Sequence, residues 1–337
     1  MLNIHRMKGA LLALSLLLGA PGVQAAPEKL RIAIQYGVTY LPLMIVQQER
    51  LIEKNAKAAG LGDIELVWNK FSGGNIMNEA LLSGNLDLAV TGGPSFLILW
   101  DKGQSMLNVK GIASYGATPL YLVSKNPAVK SIKDLSGNDR IAVPAVKSSV
   151  QAIVLQMASE KAFGPGNHGK LDPLTVSMGH ADAAVAMMSA NNVINAHFAA
   201  PPYAQRELAQ PGFHAILESS EVFGSPFSNG VIYATTKFHD ANPGLMKAVQ
   251  KSVDEALASI RNDPKAAAQT YLKASGETMP LEDLLKIIQD PNADWSSSAP
   301  KGFFKFAEFM HQIGSIKRKA TSWKDMFFPE VHGLPGS

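Results

Sequence analysis

The sequence predicts an α/β protein built as two lobes, each with a mainly parallel sheet flanked by helices. Short apolar runs rich in β-branched residues alternate with stretches of helical period along most of the chain. Glycine, proline and small polar residues separate these segments, as is typical of βαβ units. The chain has 337 residues, of which 46% are hydrophobic, and a core of that size commonly divides in two.

The N-terminus has the pattern of a secretory signal. Arg6 and Lys8 precede an apolar run over residues 9–20, which is shorter than the roughly 20 apolar residues that a membrane-spanning helix needs. Val23 and Ala25 are small enough for the cleft of a signal peptidase. We therefore expect cleavage after Ala25.

The composition limits the compartment and the partners. The chain contains no cysteine, so we expect no disulfide and no lipid anchor, which favours a freely soluble protein of a Gram-negative periplasm. The sequence has 31 basic and 28 acidic residues, and removal of Arg6 and Lys8 with the signal leaves it nearly neutral. The basic residues are scattered, and this argues against nucleic acid as a partner.

The first part of the chain alternates strands and helices. The predicted elements are strand 30–34, helix 42–59, strand 64–68, helix 75–82, strand 86–90 and helix 94–100. Gly84 follows one helix and Pro94 opens another, as expected for helix ends and first turns. This alternation predicts a parallel sheet covered on both faces.

The second part repeats the alternation and then becomes mostly helical. The predicted elements are strands 120–123, 140–143, 174–177, 193–198 and 231–234, with helices 149–162, 181–189 and 243–274, the last broken at Asp263-Pro264. No linker rich in Pro, Gly or Ser divides the chain, so we expect it to cross between lobes more than once. The predicted division is a signal at 1–25, one lobe at 26–118 with 229–337, and a second lobe at 119–228.

Small polar loops follow four of the predicted strands. Ligands of such sheets bind beyond the carboxyl ends of the strands, where helix N-termini present free N–H groups. The candidate binding residues in these loops are Gly37, Thr39, Tyr40, Ser72, Gly73, Gly74, Thr91, Gly92, Gly93, Ser148 and Ser149. Each loop alone also fits an ordinary turn or helix cap, but four equivalent loops favour a binding site.

Several segments resemble a known family. They are 30–36, Glu49-Arg50-Leu51-Ile52-Glu53-Lys54, 79–81, 83–89, 123–125 and 132–137. Together they are similar to the type II periplasmic binding proteins of aliphatic sulfonate, taurine and nitrate importers, whose relatives bind a thiamine pyrimidine precursor. The resemblance covers roughly 29–257.

This resemblance implies two lobes joined by paired crossovers, which close on a small-molecule ligand and then dock on an ABC permease in the inner membrane. It also implies a monomer without catalytic residues, metal or cofactor. In such relatives the residues at the positions of Thr39, Ser72, Thr91, Ser148 and Ser149 line the cleft.

One segment departs from the family pattern of Asp-Ala followed by Trp-x-Pro and an aromatic residue. Asn195 and Tyr203 fit this pattern, whereas Ala200 occupies the tryptophan position, which could widen the pocket. His197 near a strand end and His180 before a helix are further candidate ligand contacts, although a lone histidine is more often structural.

The sequence leaves the ligand class open. The cleft loops contain no arginine, so an anion would depend on N–H groups, hydroxyls, the two histidines and Lys147. A neutral or aromatic ligand held by Tyr40 and Phe198 remains an alternative. The family's importers favour a sulfonate, taurine or nitrate.

Enzyme motifs are weak or missing from the sequence. Residues 164–169 match a dinucleotide glycine pattern but follow a helix instead of a strand. Ser298 and Lys301 have a hydrolase spacing, but Pro300 forbids the helical geometry that it needs. We therefore expect a binding protein and not an enzyme. A periplasmic sensor that docks on a receptor is a further alternative.

Overall fold

The protein is described by a computed structural model that covers residues 27, 29–103, 107–190 and 193–337. The expected signal and its cleavage after Ala25 lie outside the described residues. No helix in the described ranges is long and apolar enough to cross a membrane.

The strands of the first half form one layer, called here the first sheet, in which the two-stranded sheet β2-β1 adjoins the three-stranded sheet β3-β10-β4. They are β1 (Lys29–Ile34), β2 (Glu65–Lys70), β3 (Ala89–Gly92), β4 (Val109–Ser114) and β10 (Gly230–Thr235). β1 and β2 are parallel, and a parallel bridge between Ile32 and Leu88 joins β1 to the start of β3. β10 lies antiparallel between β3 and β4.

The second sheet repeats this arrangement in the order β7-β6-β8-β5-β9. Its strands are β5 (Tyr121–Ser124), β6 (Ile141–Val143), β7 (Thr175–Ser177), β8 (Ala196–Ala199) and β9 (His214–Glu218). β6 is parallel to β7 and β8, whereas β5 is antiparallel to β8 and β9.

The predicted α/β architecture is confirmed, but both sheets are mixed. The antiparallel strand in each sheet arrives from the other sheet: β5 follows β4 directly, and β10 follows β9 through a short helix at Ser219–Phe223. The rule that two strands of one sheet joined by a βαβ crossover are parallel therefore does not apply to this strand.

Thirteen helices flank the sheets in the described part of the chain. They are α1 (Leu41–Gln48), α2 (Leu51–Ala58), α3 (Gly74–Leu82), α4 (Gly93–Lys102), α5 (Val150–Phe163), α6 (His180–Met188), α7 (Tyr203–Leu208), α8 (Ser219–Phe223), α9 (Thr236–Ala241), α10 (Pro243–Asn262), α11 (Pro264–Ser275), α12 (Leu281–Ile288) and α13 (Phe303–Gln312). The helix predicted at 42–59 is two helices, because Arg50 takes a left-handed conformation with φ of 54°. The break at Asp263-Pro264 is confirmed, and the Asp263 side chain caps α11.

Two strands, β4 and β9, were not predicted from the sequence. Glycine at position 111 lowers the strand propensity of β4. The structure requires it there, because a Cβ on Gly111 would lie 2.3 Å from the Phe327 ring. β9 reads His-Ala-Ile-Leu-Glu and is bounded by polar residues, so its apolar run is too short for a clear pattern.

The hydrophobic core extends from one sheet to the other. One buried cluster joins Phe96 of α4 to Ile153 of α5 through Phe303 of α13, and α13 contacts both of these helices. A second cluster fills the space between the first sheet and helices α1, α10 and α11. Helix α13 therefore holds the two halves together on one side.

The chain passes between the sheets after β4 and again before β10. Asn229 ties these two connections together. Its backbone N–H donates to Gly116 O at 3.0 Å, and its side-chain amide donates to Thr118 O at 3.0 Å. The predicted lobe bounds of 26–118 with 229–337, and of 119–228, stay a prediction.

Candidate ligand-binding cleft

A small cavity lies where the strand ends of the two sheets meet. Its volume is about 50 Å³, enough for a few water molecules or a small solute. Its wall consists of Gln35, Tyr36, Thr39, Tyr40, Gly74, Gly92, Ser95, Tyr115, Leu120, Pro144, Ala145, Ser149, Val150, Gln151, His180, Ala200 and Asn229. Because both sheets contribute to the wall, a bound molecule would be enclosed between the two halves.

The sequence-predicted binding residues fall into three groups. Thr39, Tyr40, Gly74, Gly92, Ser149 and His180 line the cavity. Ser72 lines an adjoining pocket of about 260 Å³, called here the rim pocket, which shares Gln35, Tyr36 and His180 with the cavity. The remaining predicted residues, which are not among those lining the cavity, are Gly37, Gly73, Thr91, Gly93, Ser148 and His197.

Two of the predicted glycines lie where the halves touch. Gly37 has φ of 114°, and a Cβ there would lie 3.0 Å from Pro201 O. The neighbouring Val38 N–H donates to the same carbonyl at 2.9 Å. A Cβ on Gly92 would lie only 2.6 Å from the Cγ2 atom of Val150, so both glycines permit close approach between the halves.

Most predicted hydroxyls are already engaged within the protein. Ser149 caps α5, where its Oγ accepts from Ala152 N–H at 3.2 Å and donates to Ala145 O at 2.8 Å. Thr91 Oγ1 donates to Gly92 O at 3.1 Å. The Ser148 hydroxyl donates to Asn75 Oδ1 at 3.3 Å. Because these hydroxyls already have partners within the protein, they stabilise the loops around the cavity and are not free to bind a ligand.

Gly73 and Gly93 pack against neighbouring elements. A Cβ on Gly73 would lie 3.4 Å from Pro144 O in the other half, and one on Gly93 would lie 3.2 Å from the Phe303 ring. Both positions belong to the structural support of the cavity.

Four helix N-termini meet at the cavity. Gly74 begins α3, Gly92 precedes α4, Ser149 precedes α5 and His180 begins α6, and all four residues line the wall. The first N–H groups of a helix have no partner within it, and the helix dipole adds positive potential. The arrangement therefore attracts a negatively charged group although no Lys or Arg lines the cavity in the described ranges.

Tyrosine rings form another part of the wall. The rings of Tyr40 and Tyr115 lie 5.4 Å apart. Burial raises the pKa of both hydroxyls well above their ordinary value. Both therefore stay protonated and can donate hydrogen bonds.

The two predicted histidines form a chain that sequence reasoning did not foresee. His180 Nδ1 lies 2.8 Å from His197 Nε2, and His197 Nδ1 lies 2.6 Å from Glu207 Oε1. At the cavity end, Gln151 Nε2 lies 3.1 Å from His180 Nε2. The His180 ring also stacks on Tyr203, with centroids 5.9 Å apart. His197 therefore acts through His180 and does not itself reach the cavity.

Burial determines the protonation states of His180, His197 and Glu207. It lowers the pKa of His197 to about 3, and burial together with His197 lowers the pKa of His180 well below its ordinary value. Burial also raises the pKa of Glu207 to about 8. All three groups are therefore neutral near pH 7.

Some expectations about the wall need correction. Phe198 is fully buried in the core and is not among the residues that line the cavity. Lys147 is exposed on the surface and is not part of the wall. Ala200 does line the cavity, as expected for the residue in the tryptophan position.

Sequence reasoning missed several wall residues, including Gln35, Ser95, Tyr115, Gln151 and Asn229. Ser95 and Gln151 lie inside the first turns of α4 and α5. A search that extended from each strand end through the next helical turn would have found both. Tyr115 and Asn229 lie in the connections between the sheets, whose position the sequence did not reveal.

No cluster of His, Cys, Asp or Glu able to hold a metal ion occurs among the residues that the structure describes.

Two sheets of identical order with a cavity between their strand ends define the fold of two-lobed solute-binding proteins. Residues 57–267 match the family described as NMT1/THI5 like, and the chain belongs to this family. The resemblance read from the sequence is thereby confirmed.

Individual relatives share the fold at low sequence identity. A protein of Escherichia coli strain K12, named for aliphatic sulfonate binding, is 24% identical over 263 residues, which cover 78% of this chain and 76% of the relative. The alkanesulfonate-binding protein of Xanthomonas axonopodis pv. citri, solved with MOPS bound, is 18% identical with a TM-score of 0.69, and the match covers 89% and 98% of the two chains. The nitrate-binding protein of Synechocystis PCC 6803 is 13% identical with a TM-score of 0.66, and the match covers 85% and 80%.

Proposed function

We propose that this protein is the periplasmic substrate-binding component of an ABC importer and that it captures a small organic anion in the cavity between its lobes. The signal at the N-terminus would direct it to the periplasm, with cleavage after Ala25. It would act as a soluble monomer that delivers the ligand to a membrane permease and leaves it chemically unchanged. Relatives named for sulfonate and nitrate binding support this role.

The convergence of four helix N-termini on one cavity carries the proposal. A sulfonate or nitrate group needs several donors and gains from positive potential, and α3, α4, α5 and α6 supply both without a cation. Hydrogen bonds to a charged group contribute about 1.5–3 kcal/mol each. Several of them suffice for a micromolar complex of about −8 kcal/mol after the cost of association.

Contacts between the halves support capture by closure. Ser95 Oγ donates to Ser148 O at 2.9 Å, and Val38 N–H donates to Pro201 O at 2.9 Å. An ion pair joins Arg206 of α7 to Glu277 after α11. Because these contacts form only when the halves are together, a ligand that fills the cavity favours the closed form that a permease recognises.

The first test is a thermal-shift screen of the mature protein, freed of co-purified ligand by partial unfolding and dialysis. The panel contains methanesulfonate, taurine, nitrate, aromatic acids and a thiamine pyrimidine precursor. An anion at a hundredfold excess over its dissociation constant should add about 2.7 kcal/mol to the free energy of unfolding. Calorimetry and recovery of the intact ligand would complete the test. Turnover of a bound compound would contradict a pure binding role, and binding of only uncharged compounds would contradict the anion.

A neutral aromatic ligand is the second candidate. Tyr36, Tyr40 and Tyr115 all line the cavity and offer ring faces with hydroxyl donors. A thermal shift with the pyrimidine and none with any anion would favour this function.

A further inference from the structure

A buried hydrogen-bonded chain, called here the relay, leads from the cavity to Glu207 of α7. It runs through Gln151, His180 and His197, with successive separations of 3.1, 2.8 and 2.6 Å. His197 and Glu207 are completely buried, and the Glu207 Oε2 atom has no hydrogen-bond partner in the described part of the chain. A carboxyl group in such a place is costly to keep ionised, and solute binding as described above does not require it.

All hydrogen bonds of the relay can form in either of two opposite donor-to-acceptor directions. In the first, the Gln151 amide donates to His180 Nε2, His180 Nδ1–H donates to His197 Nε2, and His197 Nδ1–H donates to the Glu207 carboxylate. In the second, a protonated Glu207 donates to His197 Nδ1, His197 Nε2–H donates to His180 Nδ1, and His180 Nε2–H donates to the Gln151 oxygen. Every ring nitrogen has a partner in both arrangements.

We propose that Gln151, His180, His197 and Glu207 form a proton relay that stores one proton on Glu207 and thereby sets whether the cavity wall presents a hydrogen-bond donor or acceptor. This inference deepens the proposed function, because the ligand that selects the donor state is the anion proposed there.

The two arrangements differ by one proton. A proton from solvent arrives at His180 Nε2, and the proton on His180 Nδ1 moves to His197 Nε2. The proton on His197 Nδ1 then moves to Glu207 Oε1, so that both rings are neutral before and after. No oxidant or other reactant is needed, and the net result is conversion of the Glu207 carboxylate to the acid.

The orientation of the Gln151 amide depends on whether Glu207 is protonated, and it determines which amide atom faces the cavity. Gln151 lines the cavity, and the amide atom turned away from His180 has no described hydrogen-bond partner and is not sealed from solvent. With Glu207 ionised, that free atom is the oxygen, which repels an anion. With Glu207 protonated, the amide turns over and its NH₂ becomes the free group, which can bind an anion.

The groups around Glu207 leave its charge uncompensated. Helix α7 packs against α6, β5 and β8, whose titratable residues are His180, Asp182, Tyr121 and His197, and α7 itself carries Tyr203 and Arg206. Of these, His197 hydrogen-bonds Glu207 and stays neutral, while Arg206 pairs with Glu277. Burial accordingly raises the pKa of Glu207 to about 8, which places the change of state within reach of solution experiments.

The first test needs no ligand. Nitrogen-15 NMR of histidine-labelled protein distinguishes protonated from unprotonated ring nitrogens. Both His180 and His197 should change from the Nε2–H to the Nδ1–H form together as pH rises through about 8. In the variant Glu207→Gln this joint change should disappear, whereas Glu308→Gln, an exposed glutamate on α13, should retain it. Fixed tautomers between pH 6 and 10 in the unmodified protein would overturn the relay, and this holds even if Glu207→Gln does not fold.

The second test measures the protons that accompany binding. Methanesulfonate is the probe, since its charge is constant over this pH range. Its affinity should weaken about 30-fold from pH 7 to pH 9.5, and calorimetry in buffers of different ionisation enthalpy should show proton uptake approaching one at the higher pH.

In Glu207→Gln both effects should vanish, and in Glu308→Gln both should remain. Binding that is independent of pH and buffer in the unmodified protein would overturn the relay's coupling to the ligand. Failure of every anion in the thermal-shift panel to bind would instead overturn the proposed anion function, and the NMR result would then decide the relay alone.

Discussion

Substitution of Gly92 by alanine should disfavour closure of the lobes without disturbing either lobe. Gly92 has φ of −61° and ψ of 151°, so alanine fits the backbone there. The added Cβ would meet Val150 Cγ2 at 2.6 Å, and Val150 belongs to α5 beside the other sheet. The clash therefore exists only when the two halves are together.

The magnitude follows from the cost of overpacking. Forcing one extra methyl group into a filled contact costs about 1–3 kcal/mol. Because the closed form bears this cost, ligand affinity should fall about 5- to 150-fold. The melting temperature of the ligand-free protein should change little, because the open form relieves the clash.

A double-mutant cycle tests the cause directly. Calorimetry with the ligand identified by the screen would compare the unmodified protein, Gly92→Ala, Val150→Ala and the double variant. Val150→Ala removes the methyl group that clashes, so affinity in the double variant should return to that of Val150→Ala alone. Unchanged affinity in Gly92→Ala, or no recovery in the double variant, would refute the reasoning.

Three further predictions concern Asn229 between the sheet connections, the relay, and the ion pair between Arg206 and Glu277. Asn229→Ala should lower the free energy of unfolding by about 2–3 kcal/mol in urea titrations, because it leaves buried groups of Thr118 unpaired. Since the pKa of Glu207 is raised from 4.5 to about 8, its stabilising proton is lost as pH rises through this range. The stability of Glu207→Gln relative to the unmodified protein should therefore rise by up to about 4 kcal/mol between pH 5 and 8, and equal pH profiles would contradict this. Arg206→Gln should weaken ligand binding at most about fivefold, since its pair with Glu277 is partly exposed, and calorimetry in 1 M salt should erase the difference.

The local pattern of the chain predicts most strands and helices correctly. Strands β1, β2 and β6 and helices α3, α5 and α10 lie within about two residues of their predicted bounds. Each has a clear apolar period bounded by glycine, proline or a capping residue. The break at Arg50 has no such marker, because an arginine in the left-handed conformation is rare.

The cavity was predictable only where it follows the strand ends. Thr39, Gly74, Gly92 and Ser149 were found by that rule, and they line the wall. Tyr115 and Asn229 come from connections whose path depends on how the two sheets pack.

The relay illustrates the same limit. Glu207 lies beside an arginine in an ordinary helical sequence. Only the folded chain shows that it is buried against His197 while Arg206 turns to Glu277. Contacts between residues from different elements are set by tertiary packing and have no local sequence signal.

Helix α13 and the rim pocket lie at opposite sides of the cavity. This helix spans α4 and α5 near the connections between the sheets, whereas β2 and β7 form the opposite edges of the two sheets. The rim pocket lies at those far edges, bordered by Lys70 at the end of β2, by Ser72 just after it and by Ala181 in α6. On the proposed function, a solute would enter and leave the cavity through this rim pocket, beside the exposed Lys70 side chain. The lifetime of the proposed complex would then depend on how often β2 and α6 separate at this edge.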